Sequence, residues 1–156
     1  MRKTIATTDS LSGTPHRTWL DLEHLAQVEV TSEGAAHPIE SALRAGDPGA
    51  WCASTRGVQT IRLQFDAPQS LERIRLVVDE TERARTQEFE LRWYALNEQT
   101  SRHIVRQQYT FSPTGATREI EEYIVDLHGV SILELQIVPD INGGEARARL
   151  SEWLLA

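Results

Sequence analysis

Five stretches of this 156-residue chain alternate apolar and polar residues with a period of two. Val28 and Val30 alternate with Glu29 and Thr31, and Ile61, Leu63 and Phe65 with Arg62 and Gln64. Ile74, Leu76 and Val78 follow Arg73 and Arg75, while Phe89, Leu91 and Trp93 flank Glu90 and Arg92. Leu133, Leu135 and Ile137 enclose Glu134 and Gln136. This period puts one face of each strand on a core and the other in water, as in an antiparallel sheet. Arg102–Phe111 and Glu119–Val125 carry a weaker version, and Ala146–Leu155 reads as a last strand. Turn-forming residues stand between these segments: Asp66-Ala67-Pro68, Ser112-Pro113-Thr114-Gly115, His128-Gly129 and the run from Pro139 to Gly144. About seven to nine short strands so separated predict an all-β sandwich or barrel. No strand–helix alternation is present, which excludes a parallel sheet.

Two short helical segments complete the reading. Thr18–Ala26 places Trp19, Leu22 and Ala26 on one helical face, with Thr18 as the cap. Pro38–Arg44 makes a single turn. Residues 1–17 are polar and rich in Ser and Thr, and are expected to form a flexible arm ahead of one domain over residues 18–156.

The 16 Lys and Arg against 23 Asp and Glu give a net charge of −7. Nonspecific nucleic-acid binding needs the opposite sign, and so do anionic membrane surfaces; neither partner is expected. Lys3 is the only lysine, so every other basic residue is an arginine with a planar donor fork. Cys52 is the only cysteine, which rules out a disulfide within the chain. The first residues hold no long apolar run, and no stretch approaches the roughly 20 apolar residues of a membrane span. The chain therefore reads as cytoplasmic.

From Trp19 to Ala156 the chain sets out, in order, the Thr31-Ser32 loop, Ala42-Leu43-Arg44-Ala45-Gly46-Asp47, Trp51, the paired strands Gln59–Phe65 and Leu71–Val78, Phe89–Trp93, and the closing Ala148-Arg149-Leu150-Ser151-Glu152-Trp153. In pattern and order this resembles the discoidin-like, galactose-binding-like domains. The resemblance implies a galactose-binding-like jelly-roll β-sandwich with a short N-terminal helix. It also implies a non-enzymatic module that binds a carbohydrate or related small polar ligand in loops at one end. The alternative is an intracellular protein-interaction or scaffold domain with a protein partner. Many such domains hold a structural calcium ion, for which Asp47 and Glu152 match two of the acidic positions. Arg44 or Ala45 stands where the first aspartate belongs, and an arginine there opposes a cation that needs roughly 6–8 oxygen ligands. We expect no cofactor other than a structural calcium ion, whose site is as readily lost as retained; where it is lost, Arg44 is expected to pair with Glu152 in its place.

Candidate ligand-binding residues are His37, Glu40, Trp51, Arg83, Arg85 and Asn142. His37, with Glu33 and Glu40, offers polar contacts in the first loop, or simply forms a loop-to-helix junction. Trp51 follows Gly49-Ala50 and is either a stacking platform or a core residue. Arg83 and Arg85 are spaced to clamp a carboxylate, phosphate or acidic sugar, or to pair with neighbouring glutamates. Asn142 sits in a Gly-rich loop that can meet a ligand or merely turn. Arg62, Arg73 and Arg75 form a basic stripe unless a neighbouring strand supplies carboxylates. No H-x-x-x-H, G-x-S-x-G, C-x-x-C or Gly-rich phosphate loop occurs, so no catalytic residue is assigned. A sugar site is expected to set an exposed aromatic beside a polar cleft at the loop end. A scaffold domain is expected to expose an apolar patch of roughly several hundred Å².

Overall fold

The computed structural model describes residues 18–156; the arm expected over residues 1–17 lies outside them. Each alternating segment is strand. The elements run α1 (Leu22–Leu25), β1 (Ala26–Val30), α2 (Glu40–Leu43), β2 (Trp51–Cys52), β3 (Gln59–Asp79), β4 (Arg85–Ala95), β5 (Arg102–Phe111), β6 (Arg118–Val138), β7 (Arg149–Leu150) and β8 (Glu152–Leu155).

The largest departure from expectation is that two pairs of short strands are two long ones. Asp66-Ala67-Pro68 and His128-Gly129 do not end strands; they bend them. The antiparallel register of β3 and β6 runs from Gln59↔Ile137 to Gln64↔Ile132, breaks, and resumes from Arg73↔Ile124 to Asp79↔Arg118. Gln69 faces Val130 at the break, so both strands turn the corner together. Pro68 donates no hydrogen bond and suits a bulge. Gly129 sits at φ 73°, a left-handed conformation that costs other residues roughly 1–2 kcal/mol. The turn chemistry is real, but it is spent on bulges that fold the ladder over onto itself.

The fold-over makes a two-layer β-sandwich. The first halves of β3 and the last halves of β6 lie in one layer, in the order β1-β3-β6-β4-β5. The later half of β3 pairs with β8 through Ile74↔Leu155 to Val77↔Glu152 and makes the other layer with the first half of β6. Ile61, Leu63, Leu91 and Leu135 face Leu71, Ile74, Leu76 and Trp153 in one continuous core. Each such side chain contributes roughly 1.5–3 kcal/mol by leaving water.

The expected last strand splits as well. β7 pairs with β2, whereas β8 joins β3, and Ser151 crosses between them by donating its N–H to the Val77 carbonyl at 2.8 Å. The expected helix Thr18–Ala26 shrinks to the four residues of α1. Leu20 donates its N–H to the Leu155 carbonyl at 2.8 Å, which commits the chain before α1 to the sheet. Thr18 caps nothing; Asp21 stands at the cap position, and its carboxylate meets His24 Nδ1 at 2.6 Å instead.

Candidate functional site

Because β3 and β6 fold back, their first and last residues emerge at the same end as the start of β4. The loops before β2, between β3 and β4, and before β7 gather there. They enclose an open hollow of about 630 Å³. One wall is Gly34 and His37, stitched by backbone to β2: Gly34 N–H donates to the Cys52 carbonyl at 2.9 Å, and Cys52 N–H to the His37 carbonyl at 3.3 Å. A second wall is Glu80, Glu82 and Arg83, and a third is Glu145, Arg147 and Arg149. Ala53 and Ser54 contribute the rest of the surface beside Cys52.

Beneath the second wall lies a buried ion pair. Arg85 Nε donates to Glu80 Oε1 at 2.8 Å, with neither side chain more than 6% exposed. The same guanidinium donates to the Pro139 carbonyl at 2.7 Å and sits 4.9 Å above the Phe111 ring. Burial pushes the Glu80 carboxyl up, but the Arg85 fork, the Glu82 N–H and nearby Arg149 outweigh it and hold it below the usual carboxylate range. Gln87, also buried, accepts from Arg85 and donates to Glu119 Oε1 at 2.9 Å. Burial, helped by nearby Glu121, pushes the Glu119 carboxyl up to about 8. This network ties the β3–β4 and β6–β7 loops to the strands beneath them.

The arginines divide into two groups. On the sheet faces and edges each pairs with a carboxylate: Arg62 with Glu134, Arg73 with Glu122, Arg75 with Glu122 and Glu152, and Arg118 with Asp79. Arg44, Arg56, Arg92, Arg102 and Arg106 also pair with acids. The expected basic stripe of Arg62, Arg73 and Arg75 is therefore neutralised strand by strand. Among the described residues only Arg83, Arg147 and Arg149 have no ion-pair partner, and all three line the one hollow. Two of its acids are engaged elsewhere, Glu80 by Arg85 and Glu145 by Arg56.

Of the residues singled out from the sequence, His37 and Arg83 line the hollow. Arg85 does not: it is the buried structural anchor just described, so no Arg83–Arg85 clamp forms. Trp51 is fully buried, with its indole N–H donated to the Ser32 carbonyl at 3.1 Å, and cannot stack on a ligand. Glu40 belongs to α2 and Asn142 to an exposed turn in which its N–H donates to Asp140 Oδ1 at 3.0 Å; neither lines the hollow. No Trp, Tyr or Phe lines it among the described residues, contrary to the exposed aromatic expected of a sugar site.

The sequence carries a signal for Arg147 and Arg149 as well. Ala146, Ala148 and Leu150 are buried, so the intervening arginines share the opposite face. A pair of like charges at period two, with no acid between them, is the signal.

Asp47 and Glu152, the two acidic positions of the implied calcium site, are each engaged by other groups of the protein. Asp47 accepts the Gly49 N–H at 2.7 Å and faces Arg44 at 3.5 Å, and Glu152 accepts from Arg75 Nε at 3.0 Å. Among the described residues no group of three or more His, Cys, Asp or Glu could hold a metal. The expected Arg44–Glu152 pair is absent too: Arg44 grips Glu23 through two bonds of 2.8 and 2.9 Å. His37 and Cys52 meet at the hollow through backbone alone. Burial pushes the Cys52 thiol up, the reverse of what a nucleophilic thiolate needs.

This architecture, a folded-over jelly roll with its loops gathered at one end, is the discoidin-like, galactose-binding-like β-sandwich. Solved structures of that fold superpose on nearly the whole chain. A family 31 glycoside hydrolase of Clostridium perfringens contains a family 32 carbohydrate-binding module that matches with a TM-score of 0.67 and 14% identity, covering 94% of this chain and 97% of that one. The family 32 module of C. perfringens NanJ, solved with galactose, matches at 0.64 and 12%, covering 88% and 97%. The family 32 module of AlyQ, solved with 4,5-unsaturated mannuronic acid, matches at 0.62 and 11%, covering 90% and 98%. No protein-family model matches the sequence, and no curated protein matches it.

Proposed function

We propose that this chain is a non-catalytic carbohydrate-binding module and that its ligand sits in the loop-end hollow. The observation that carries the reading is the unequal treatment of polar groups. Every described arginine on the sheet faces is paired with a carboxylate, whereas the hollow gathers Arg83, Arg147 and Arg149, none of them in an ion pair among the described residues. Binding residues belong on loops held by a rigid scaffold, and the buried Glu80–Arg85 pair supplies that rigidity here. The fold is shared with modules solved in complex with galactose and with 4,5-unsaturated mannuronic acid, which supports the assignment. The raised Cys52 thiol and the lack of any side-chain hydrogen bond between it and His37 among the described residues favour binding over catalysis.

The test is the melting temperature of the whole chain across neutral and acidic mono- and oligosaccharides. A saccharide at 100 times its dissociation constant adds ~2.7 kcal/mol to stability and raises Tm. Ser54 is exposed at the rim, and Ser54→Leu is expected to narrow the hollow and remove that rise while leaving the ligand-free Tm alone. A panel with no shift for any saccharide overturns the reading in favour of a protein-interaction domain.

A further inference from the structure

We propose that the saccharide carries an anionic group, a carboxylate or a sulfate, and that Arg83, Arg147 and Arg149 recognise it. This rests on the carbohydrate-binding reading and narrows it. The chain carries a net charge of −7, so carboxylates are in excess and a guanidinium has partners within reach. Every other described arginine takes one. The three that do not are brought together at one hollow: Arg83 from the loop after β3, Arg147 from the loop before β7, and Arg149 from the first position of β7 itself.

The acids of the hollow compensate them only in part: none forms an ion pair with them, and Glu80 feels Arg149 only through space. Glu80 is held by Arg85 and Glu145 by Arg56, which leaves Glu82 as the one lining carboxylate without an ion-pair partner among the described residues. A concave site with excess positive charge concentrates anions, even on a protein of opposite overall sign. The lining also lacks what a neutral sugar needs. With no Trp, Tyr or Phe on the walls, the C–H face of a pyranose has no ring to stack on. Hydroxyl hydrogen bonds exchange for water at a net gain of only ~1 kcal/mol each. A guanidinium fork on a carboxylate or sulfate forms two parallel charge-assisted bonds, roughly twice as strong as neutral ones. Arg147 and Arg149 share one face of the approach to β7, and Arg83 is supplied by the separate loop after β3, so guanidinium groups from two parts of the chain line the same hollow.

The experiment is calorimetric titration of the whole chain with matched pairs: trigalacturonate against its fully methyl-esterified form, and sulfated against unsulfated galactotriose. The charged member of one pair is expected to bind about tenfold tighter or better, and that pair identifies the anion. The preference is expected to shrink as salt rises, because exposed charges are screened within about 8 Å at roughly 0.15 M. Arg83 and Arg147 are exposed, so the R83Q/R147Q double variant is expected to keep its Tm and lose the preference. Arg149→Lys retains the charge and loses the fork, and is expected to weaken the charged ligand severalfold without abolishing its binding. Equal binding within both pairs, or a preference that survives in R83Q/R147Q, overturns the inference and leaves a neutral carbohydrate-binding module. If neither these probes nor the neutral panel binds at all, both readings fall together.

Discussion

The sheet faces and the loop-end hollow use the same side chain in opposite ways. On the faces, strand pairing fixes which residues stand opposite one another. Arg62 faces Glu134 across β3–β6, and Arg75 lies between Glu122 and Glu152. Charge there is a packing matter, and each described arginine meets a carboxylate. In the hollow the short β2–β7 ladder sets Arg149 opposite Cys52 and not opposite a carboxylate, Arg83 and Arg147 stand on loops, and none of the three has an ion-pair partner among the described residues. Arg83 and Arg85 bring the contrast down to two positions. Arg85, the first residue of β4, is buried and bonded to Glu80, Gln87 and Pro139; Arg83, two residues earlier in the loop, is exposed and unpaired among the described residues. One arginine holds the wall up, and the other is offered by it.

The comparison breaks most visibly at Arg85. Arg85→Ala leaves Glu80 buried without its cation, and losing one partner of a buried pair costs about 3–5 kcal/mol. Chemical denaturation is expected to report that loss, and a cost near zero would mean that the pair does not brace the loop. Glu119 in the same network gives a pH signature. Its carboxyl is raised from 4.5 to about 8 in the folded protein, so folding takes up a proton between those values. A raised carboxyl stabilises the fold relative to high pH, and that stability drains away as pH climbs from about 5 through 8. Glu119→Gln removes the drain. The variant is expected to gain at least ~1 kcal/mol on wild type between pH 5 and 9, since one pKa unit is about 1.4 kcal/mol; parallel Tm–pH curves would contradict this.

Gly129→Ala places a Cβ in open space at φ 73°, so backbone strain alone is at stake, and a cost of about 1–2 kcal/mol in urea denaturation is expected. The surface pairs sharpen the other side of the contrast. Arg62→Gln is expected to cost only ~0.2–1 kcal/mol, falling with salt, because both partners remain partly in water.

Much of this layout was legible in the sequence. The two-residue period named every long strand, because burial on one face is a local property that side chains declare. What it did not reveal is where a strand ends. Pro68 and Gly129 carry the same backbone chemistry whether a chain reverses or bulges, and only the facing of Gln69 and Val130 across the ladder distinguishes the two. Trp51 and Arg85 show the same limit at the site. Their residue types suit ligand contact, but burial is decided by what the folded-over layers place above them. His37 and Arg83 line the hollow because both stand on loops that gather at that end of the sandwich. Arg147 and Arg149 were hidden inside a segment that reads as strand, although their shared parity marked them out.

The most direct test of the central claim is a backbone-amide NMR titration with trigalacturonate. The account predicts that shifts concentrate at residues 34–37, 52–54, 80–83 and 145–149, and that in R83Q/R147Q they fall to those given by the methyl-esterified trimer. Shifts centred instead on the paired sheet faces or on the corner around Gln69 and Val130, with the hollow unmoved, would contradict it.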